Sequence, residues 1–345
     1  MLGTGLSARS LALRLVLPLV TLLGIAFSSY SDAVEIIAHR GASGYLPEHT
    51  LESTTLAYAQ QPDYIEQDVV LSKDNIPVVL HDIHLETVTN VEQLFKERAR
   101  QDGRYYAIDF TLAELRQLRV HERQNARQEA VFPQRYQGNR AQFGIATLAE
   151  HSELITQLNR QTRQQIGLYT EIKSPAWHRA QGVDISRIVL AEMKRLNLLE
   201  GTIPLVIQCF DFTETQRIRR ELGYTGMLVQ LVADNSWHES DTDYDWLLSE
   251  EGLEAVAEVA DGVGPWIPQL ADTSTERVLW QLSPWVANAK KHNLLIHPYT
   301  FRADELPAGV TAPALIRFLV EEARVDGIFT DQVPPVKALL ANPEG

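Results

Sequence analysis

Four short patches of this sequence place ionisable side chains where a reaction could use them. The first is His39-Arg40-Gly41-Ala42-Ser43-Gly44, directly after a short apolar run and ahead of Pro47-Glu48-His49-Thr50. In βα proteins, reacting groups gather at the C-terminal ends of strands. His39 and Arg40 stand at such an end. The planar fork of Arg40 suits phosphate oxygens, and Gly41 and Gly44 would let the backbone approach a ligand closely. Taken alone, the patch reads equally well as a glycine turn with incidental charge. The second patch is Glu66-Gln67-Asp68. Side chains at i and i+2 of a strand share a face, so two carboxylates flanked by Ile65, Val69 and Val70 face the same way and repel. Burying them uncompensated is costly, and a divalent cation between them is the simplest remedy. The alternative is an exposed edge with two solvated acids.

The third patch is His81-Asp82, where a histidine closing an apolar strand could act as acid or base. The fourth is Glu171-Ile172-Lys173, which repeats the i, i+2 spacing with opposite charges. Glu171 could be a third carboxylate ligand and Lys173 could meet a phosphoryl oxygen, or the two could form an ordinary ion pair. Together the patches are harder to dismiss. An all-carboxylate ligand set favours a hard cation, calcium or magnesium, over zinc. The positive groups around it suit an anionic substrate. Later strand ends add aromatics: Phe210, then Tyr299 and Phe301 after His297, then Phe329 ahead of Asp331. They could wall a small polyol pocket or simply cap a core. Asp241, Asp243 and Asp245 imitate the start of a calcium loop, but Trp246 stands where the turn glycine belongs.

The elements that must position these groups alternate. Apolar runs at 35–38, 64–71, 76–81, 167–173, 204–209, 227–232, 261–264, 294–297 and 327–330 read as strands. Helical patterns cover 50–60, 186–197, 213–222, 249–260, 283–292 and 312–323. Such alternation predicts an α/β protein with a mostly parallel sheet. The runs 64–71 and 76–81 are separated only by Ser72-Lys73-Asp74-Asn75. A parallel crossover needs about a dozen residues, so these two should pair antiparallel. The Gln- and Arg-rich stretch of about 82–166 reads as an inserted subdomain over one end of the fold, with helices near 111–118 and 148–158; long excursions of this kind are often functional covers.

Length and charge bound the rest. The chain has 345 residues and a net charge of −14, which disfavours nucleic acid as a partner. Cys209 is its single cysteine, so no internal disulfide or cysteine-based metal site is possible. Arg9 and Arg14 precede an uncharged stretch over 15–27 and the small residues Ser31-Asp32-Ala33. This is the pattern of a cleaved secretory signal peptide over 1–33, too short for a membrane span and interrupted by Pro18. Export with one cysteine suits a bacterial periplasm, without a stable membrane anchor. The sequence does not specify an oligomeric state.

The segments HRGASGYLPEHT, YIEQDVVLSKDNIPVVLHD, LYTEIKSP, LVIQCFDF, LIHPYTFR and GIFTD resemble the glycerophosphodiester phosphodiesterase family, most of all its periplasmic bacterial branch. The likeness spans nearly all of 34–345. It implies a TIM-type (β/α)8 barrel with an inserted subdomain after the third strand. By matching position it implies metal-binding carboxylates at Glu66, Asp68 and Glu171, and catalytic histidines at His39 and His81. It also implies substrate contacts from Arg40, Lys173 and Phe210. The usual serine before that aromatic is Cys209 here. The implied ion is calcium, with magnesium or another divalent cation in relatives. The implied reaction releases sn-glycerol 3-phosphate and an alcohol from a small glycerophosphodiester. Two other readings stand beside it: a barrel phosphodiesterase for lysophospholipid or sphingolipid head groups, and a non-catalytic binding protein.

Overall fold

A computed structural model describes residues 34–271 and 280–342, with Met1 and Gly3. The rest of the expected leader at 1–33 lies outside the described residues. Among the described residues there are nine strands: β1 (Glu35–Ala38), β2 (Tyr64–Leu71), β3 (Pro77–Val79), β4 (Gly167–Ile172), β5 (Leu205–Cys209), β6 (Met227–Val232), β7 (Gly262–Pro265), β8 (Leu295–Ile296) and β9 (Gly327–Thr330). Eight run parallel in the order β8-β7-β6-β5-β4-β2-β1-β9. The seam between β8 and β9 is bridged by backbone bonds, from Asp326 N to Ile296 O at 2.9 Å and from Phe329 N to Pro298 O at 3.0 Å. The result is the expected TIM-type barrel. β3 pairs antiparallel to β2, as the short connection requires.

Helices return the chain between strands. Helix α1 (Leu51–Gln60) starts where the Thr50 side chain accepts from Ser53 N. Two single-turn helices, α2 (Val91–Leu94) and α3 (Leu112–Leu115), lie between β3 and α4 (Leu148–Thr162). A Thr147–Glu150 capping box opens α4. Then come α5 (Pro175–Ala180), α6 (Ile185–Arg195), α7 (Phe212–Arg220), α8 (Tyr244–Leu247), α9 (Glu250–Ala257), α10 (Pro284–Lys291), α11 (Ala312–Arg317) and α12 (Val333–Ala341).

Three apolar clusters organise the molecule. The largest lies between the strands and the outer helices and includes Ile65, Val69, Leu168 and Ile207. The second gathers Leu85, Val88, Phe110, Leu115, Val120 and Phe143 against Val70 and Val78 of the β2–β3 hairpin. The stretch expected as an insertion therefore has its own core, but that core ends near Ile145. Helix α4 belongs to the barrel wall: Leu148 and Ile155 are buried in the main cluster. The third cluster plugs the barrel interior with Ile37, Tyr169, Val206, Val229 and Phe329. Because side chains alternate with period two, the residues two places further along these strands form the next layer towards the mouth. Those residues are His39, Glu171, Gln208, Leu231 and Asp331. Among the described residues no helix is long and apolar enough to cross a membrane.

Candidate active site

The layer above the apolar plug opens into a cavity of about 260 Å³ lined by His39, Arg40, Glu66, Asp68, His81, Glu171, Lys173 and Phe210. All eight side chains singled out in the sequence thus come together at the C-terminal mouth. Two of them arrive by routes that the periodicity did not indicate. β3 ends at Val79, so His81 sits two residues beyond the strand rather than on it. Arg40 lies in the left-handed region with φ 54°. Its turn points its own N–H at Glu66 Oε2, 2.9 Å away, while the guanidinium reaches Glu48 at 3.2 Å.

β2 and β4 place Asp68 beside Glu171 in register, and Glu66 lies one layer below Asp68. One oxygen from each of the three buried carboxylates falls within 4.8 Å of the others. Glu66 accepts from Gln208 Nε2 at 2.8 Å, and Asp68 Oδ2 is bonded to His49 Nε2 at 2.7 Å. Asp68 Oδ1 is buried with no hydrogen-bond partner among the described residues. Three carboxylates crowded around an unsatisfied buried oxygen are a poor arrangement by themselves and a good one around a hard cation. The geometry therefore fits a divalent metal.

The charges follow from the surroundings. Burial and the neighbouring Asp68 push Glu66 well above the usual carboxylate range. Burial also lifts Glu171 to about 8, against the pull of Lys173. Burial opposes ionisation of Asp68 too, yet His49, His81 and Arg40 hold it well below its ordinary value. Lys173 donates to Glu171 at 2.7 Å and faces Glu239 at 3.3 Å. Burial works against its charge, but these acids hold it protonated. Its ammonium lies 5.3 Å from the Phe210 ring centre.

Each cavity histidine has a carboxylate behind it. His39 Nδ1 meets Asp331 Oδ1 at 2.5 Å and His81 Nδ1 meets Asp82 Oδ1 at 2.5 Å. With Nδ1 donating to a carboxylate, each ring presents Nε2 as a lone pair. Burial, reinforced by Arg40, lowers both histidines to about 4, so both are neutral at pH 7. Trp237, Trp266, Tyr299, Glu239 and Arg302 also line the wall.

Several expectations change. Gly41 and Gly44 serve packing rather than a ligand. A Cβ on Gly41 would stand 2.7 Å from Ser53 Oγ, and one on Gly44 would stand 2.5 Å from Gln332. His297 turns into the barrel and bonds Tyr169. Cys209 is buried. Asp243 caps α8, accepting from Asp245 N and Trp246 N, and so has a structural role. Gln208, His49, Arg123 and Arg135 stand out by no pattern in the sequence, and Asp82 and Asp331 stand there only beside a histidine or near an aromatic. None of these residues carries a local signature, because each acts on a group distant in sequence or already assigned.

Comparison with known proteins agrees with this geometry. The model of the glycerophosphoryl diester phosphodiesterase family matches residues 39–334. A glycerophosphodiester phosphodiesterase of Haemophilus influenzae is 38% identical over 322 residues, covering 87% of this chain and 88% of the relative. One from Treponema pallidum is 35% identical over 315 residues, covering 86% and 88%. The solved structure of an Oleispira antarctica phosphodiesterase in complex with the product sn-glycerol-3-phosphate shares the fold. Its TM-score is 0.60 at 21% identity, over 91% of this chain and 99% of that one. The chain therefore belongs to the glycerophosphoryl diester phosphodiesterase family and is an enzyme, a phosphoric diester hydrolase.

Proposed function

We propose that this enzyme hydrolyses small glycerophosphodiesters to sn-glycerol 3-phosphate and an alcohol, with His39 and His81 as its acid–base pair. The observation that carries this reading is one cavity that brings the clustered carboxylates Glu66, Asp68 and Glu171 together with two carboxylate-backed imidazoles and the cationic side chains Arg40, Lys173 and Arg302. Glu66, Asp68 and Glu171 would hold a divalent cation; the all-oxygen donor set favours a hard ion, calcium or magnesium, and the family resemblance favours calcium; when bound it supplies charge neutralisation at a phosphoryl oxygen.

The chain's own residues do the remaining work. Arg40 and Lys173 give the mouth a positive field for the phosphodiester. Asp331 and Asp82 fix the Nδ1–H tautomer, so either Nε2 can take a proton from the attacking hydroxyl group. The other histidine, carrying on Nε2 a proton drawn from solvent, gives it to the leaving alkoxide, and the first histidine returns its proton to solvent. Phe210 offers an apolar face for the glycerol carbons. A pure binding protein would need no such pair of oriented histidines. Attack by the glycerol 2-hydroxyl would leave a cyclic phosphate visible by 31P NMR during turnover; direct attack by water would not.

The test is incubation with glycerophosphocholine, glycerophosphoethanolamine and glycerophosphoglycerol, each with and without calcium, followed by coupled detection of glycerol 3-phosphate. Release that depends on calcium is expected; no release from any of the three overturns the reading. The leader supports export to a periplasm, which N-terminal sequencing of the mature protein checks. A start near residue 34 is expected.

A further inference from the structure

The two histidines share a support that the reaction scheme above does not use. In Asp331, Oδ1 faces His39 Nδ1, while Oδ2 is held by Arg135 Nη2 at 2.7 Å and Arg302 Nε at 2.8 Å. In Asp82, Oδ1 faces His81 Nδ1, while Oδ2 is held by Arg123 Nη1 at 2.6 Å and Thr87 Oγ1 at 2.8 Å. The plan is the same twice. A carboxylate gives one oxygen to the imidazole, and the other oxygen is pinned by an arginine from the stretch between β3 and α4.

Both arginines are themselves fixed. The Arg135 side chain is only 3% exposed. It bonds Asp304 through Nε at 2.9 Å and Nη2 at 3.1 Å, and its guanidinium lies 3.6 Å from the Phe132 ring centre. Arg123 holds Glu48 through Nε at 2.9 Å and Nη2 at 2.6 Å, and Glu48 is the partner of Arg40. A planar fork that spans two carboxylates fixes both in direction, which a lysine cannot do.

We infer that Arg123 and Arg135 are positioning residues. Through Asp82 and Asp331 they set the ring orientation and tautomer of His81 and His39, so that this excursion assembles the acid–base pair. The inference rests on the proposed hydrolytic role of the two histidines. Residues that orient a ligand or acid–base group from behind typically carry about 10–100-fold in activity.

The experiment compares Arg123→Met, Arg135→Met and Arg135→Lys with Arg100→Met. Arg100 holds Asp109 in a comparable two-point ion pair within the same stretch, at 2.7 and 2.8 Å, but touches neither histidine partner. Kinetics on glycerophosphocholine should show kcat reduced about 10–100-fold in the two methionine variants with KM little changed. Arg135→Lys should recover only part of the loss, and Arg100→Met should keep wild-type kcat. Long-range 1H–15N spectra of histidine-labelled protein should show the Nδ1–H form of both rings in wild type and a tautomer mixture in each variant at its own histidine. The inference falls if the methionine variants match Arg100→Met in kcat, or if both rings keep the wild-type tautomer. If Arg135→Met does not fold, Arg135→Lys carries the same two readouts. An inactive wild type would overturn the proposed function instead, and the tautomer spectra would still decide this point.

Discussion

The mouth and the floor of this barrel hold much the same side chains and use them differently. At the floor, three aspartates immediately precede strands. Asp63 Oδ2 accepts from Ile36 N at 2.7 Å, Asp261 Oδ2 from Leu228 N at 2.9 Å and Asp326 Oδ2 from Ile296 N at 2.8 Å. Each staples the start of the neighbouring strand by satisfying a backbone donor that would otherwise lack a partner. Glu35 and the buried His297 stand 3.8 Å apart just inside. At the mouth the carboxylates converge instead, and their charge is balanced by Arg40 and Lys173 beside neutral imidazoles. Residue type alone does not separate the two ends. Strand direction does, because loops that can be elaborated freely follow the C-terminal ends.

The largest expected effect is at the mouth. His39→Ala and His81→Ala should each lower kcat about 10²–10⁴-fold while circular dichroism and Tm stay near wild type. His297→Ala, the floor histidine, should leave kcat per folded molecule unchanged in the same coupled assay. An equal loss in all three would erase the distinction between the two ends.

Next comes the acidic trio. Chelation with EGTA should abolish turnover and lower Tm, and calcium should restore both. At 100 times its dissociation constant a bound ion adds about 2.7 kcal/mol of stability. Asp68→Asn should remove this calcium-dependent shift in differential scanning fluorimetry, whereas Asp63→Asn should keep it.

The staples should show the opposite profile. Asp326→Ala leaves the Ile296 N–H without its side-chain acceptor, so urea unfolding should report a loss of about 1–3 kcal/mol with normal kcat for the folded fraction.

The smallest effect is a pH slope from the floor. Burial, then Asp63 and Asp326, raise Glu35 from 4.5 to about 7; Tyr64, Tyr169 and His297 are further titratable neighbours. The folded state thus binds more protons than the unfolded state between these values. Its contribution is fully present below pH 4.5 and is lost as pH rises through 7. Glu35→Gln should flatten that part of the stability profile measured by urea titration at successive pH values, and should leave the mouth's activity profile where it was.

What was legible in the sequence was local. Period-two alternation put Glu66 with Asp68, and Glu171 with Lys173, on common faces. The four-residue link after β2 required the antiparallel partner, and helical patterns located α1 and the start of α4. These follow from strand pleat, turn length and helical periodicity, each acting within a few residues. Tertiary structure alone decided that Asp331 backs His39 across 292 residues, that α4 joins the barrel wall, and that the β8–β9 seam closes. It also decided that two arginines from one excursion reach the carboxylates behind both histidines. Those outcomes depend on register, on strand tilt around the ring, and on which loop folds over the mouth. No local pattern encodes them, because the energy that selects each partner is realised only once the barrel has closed.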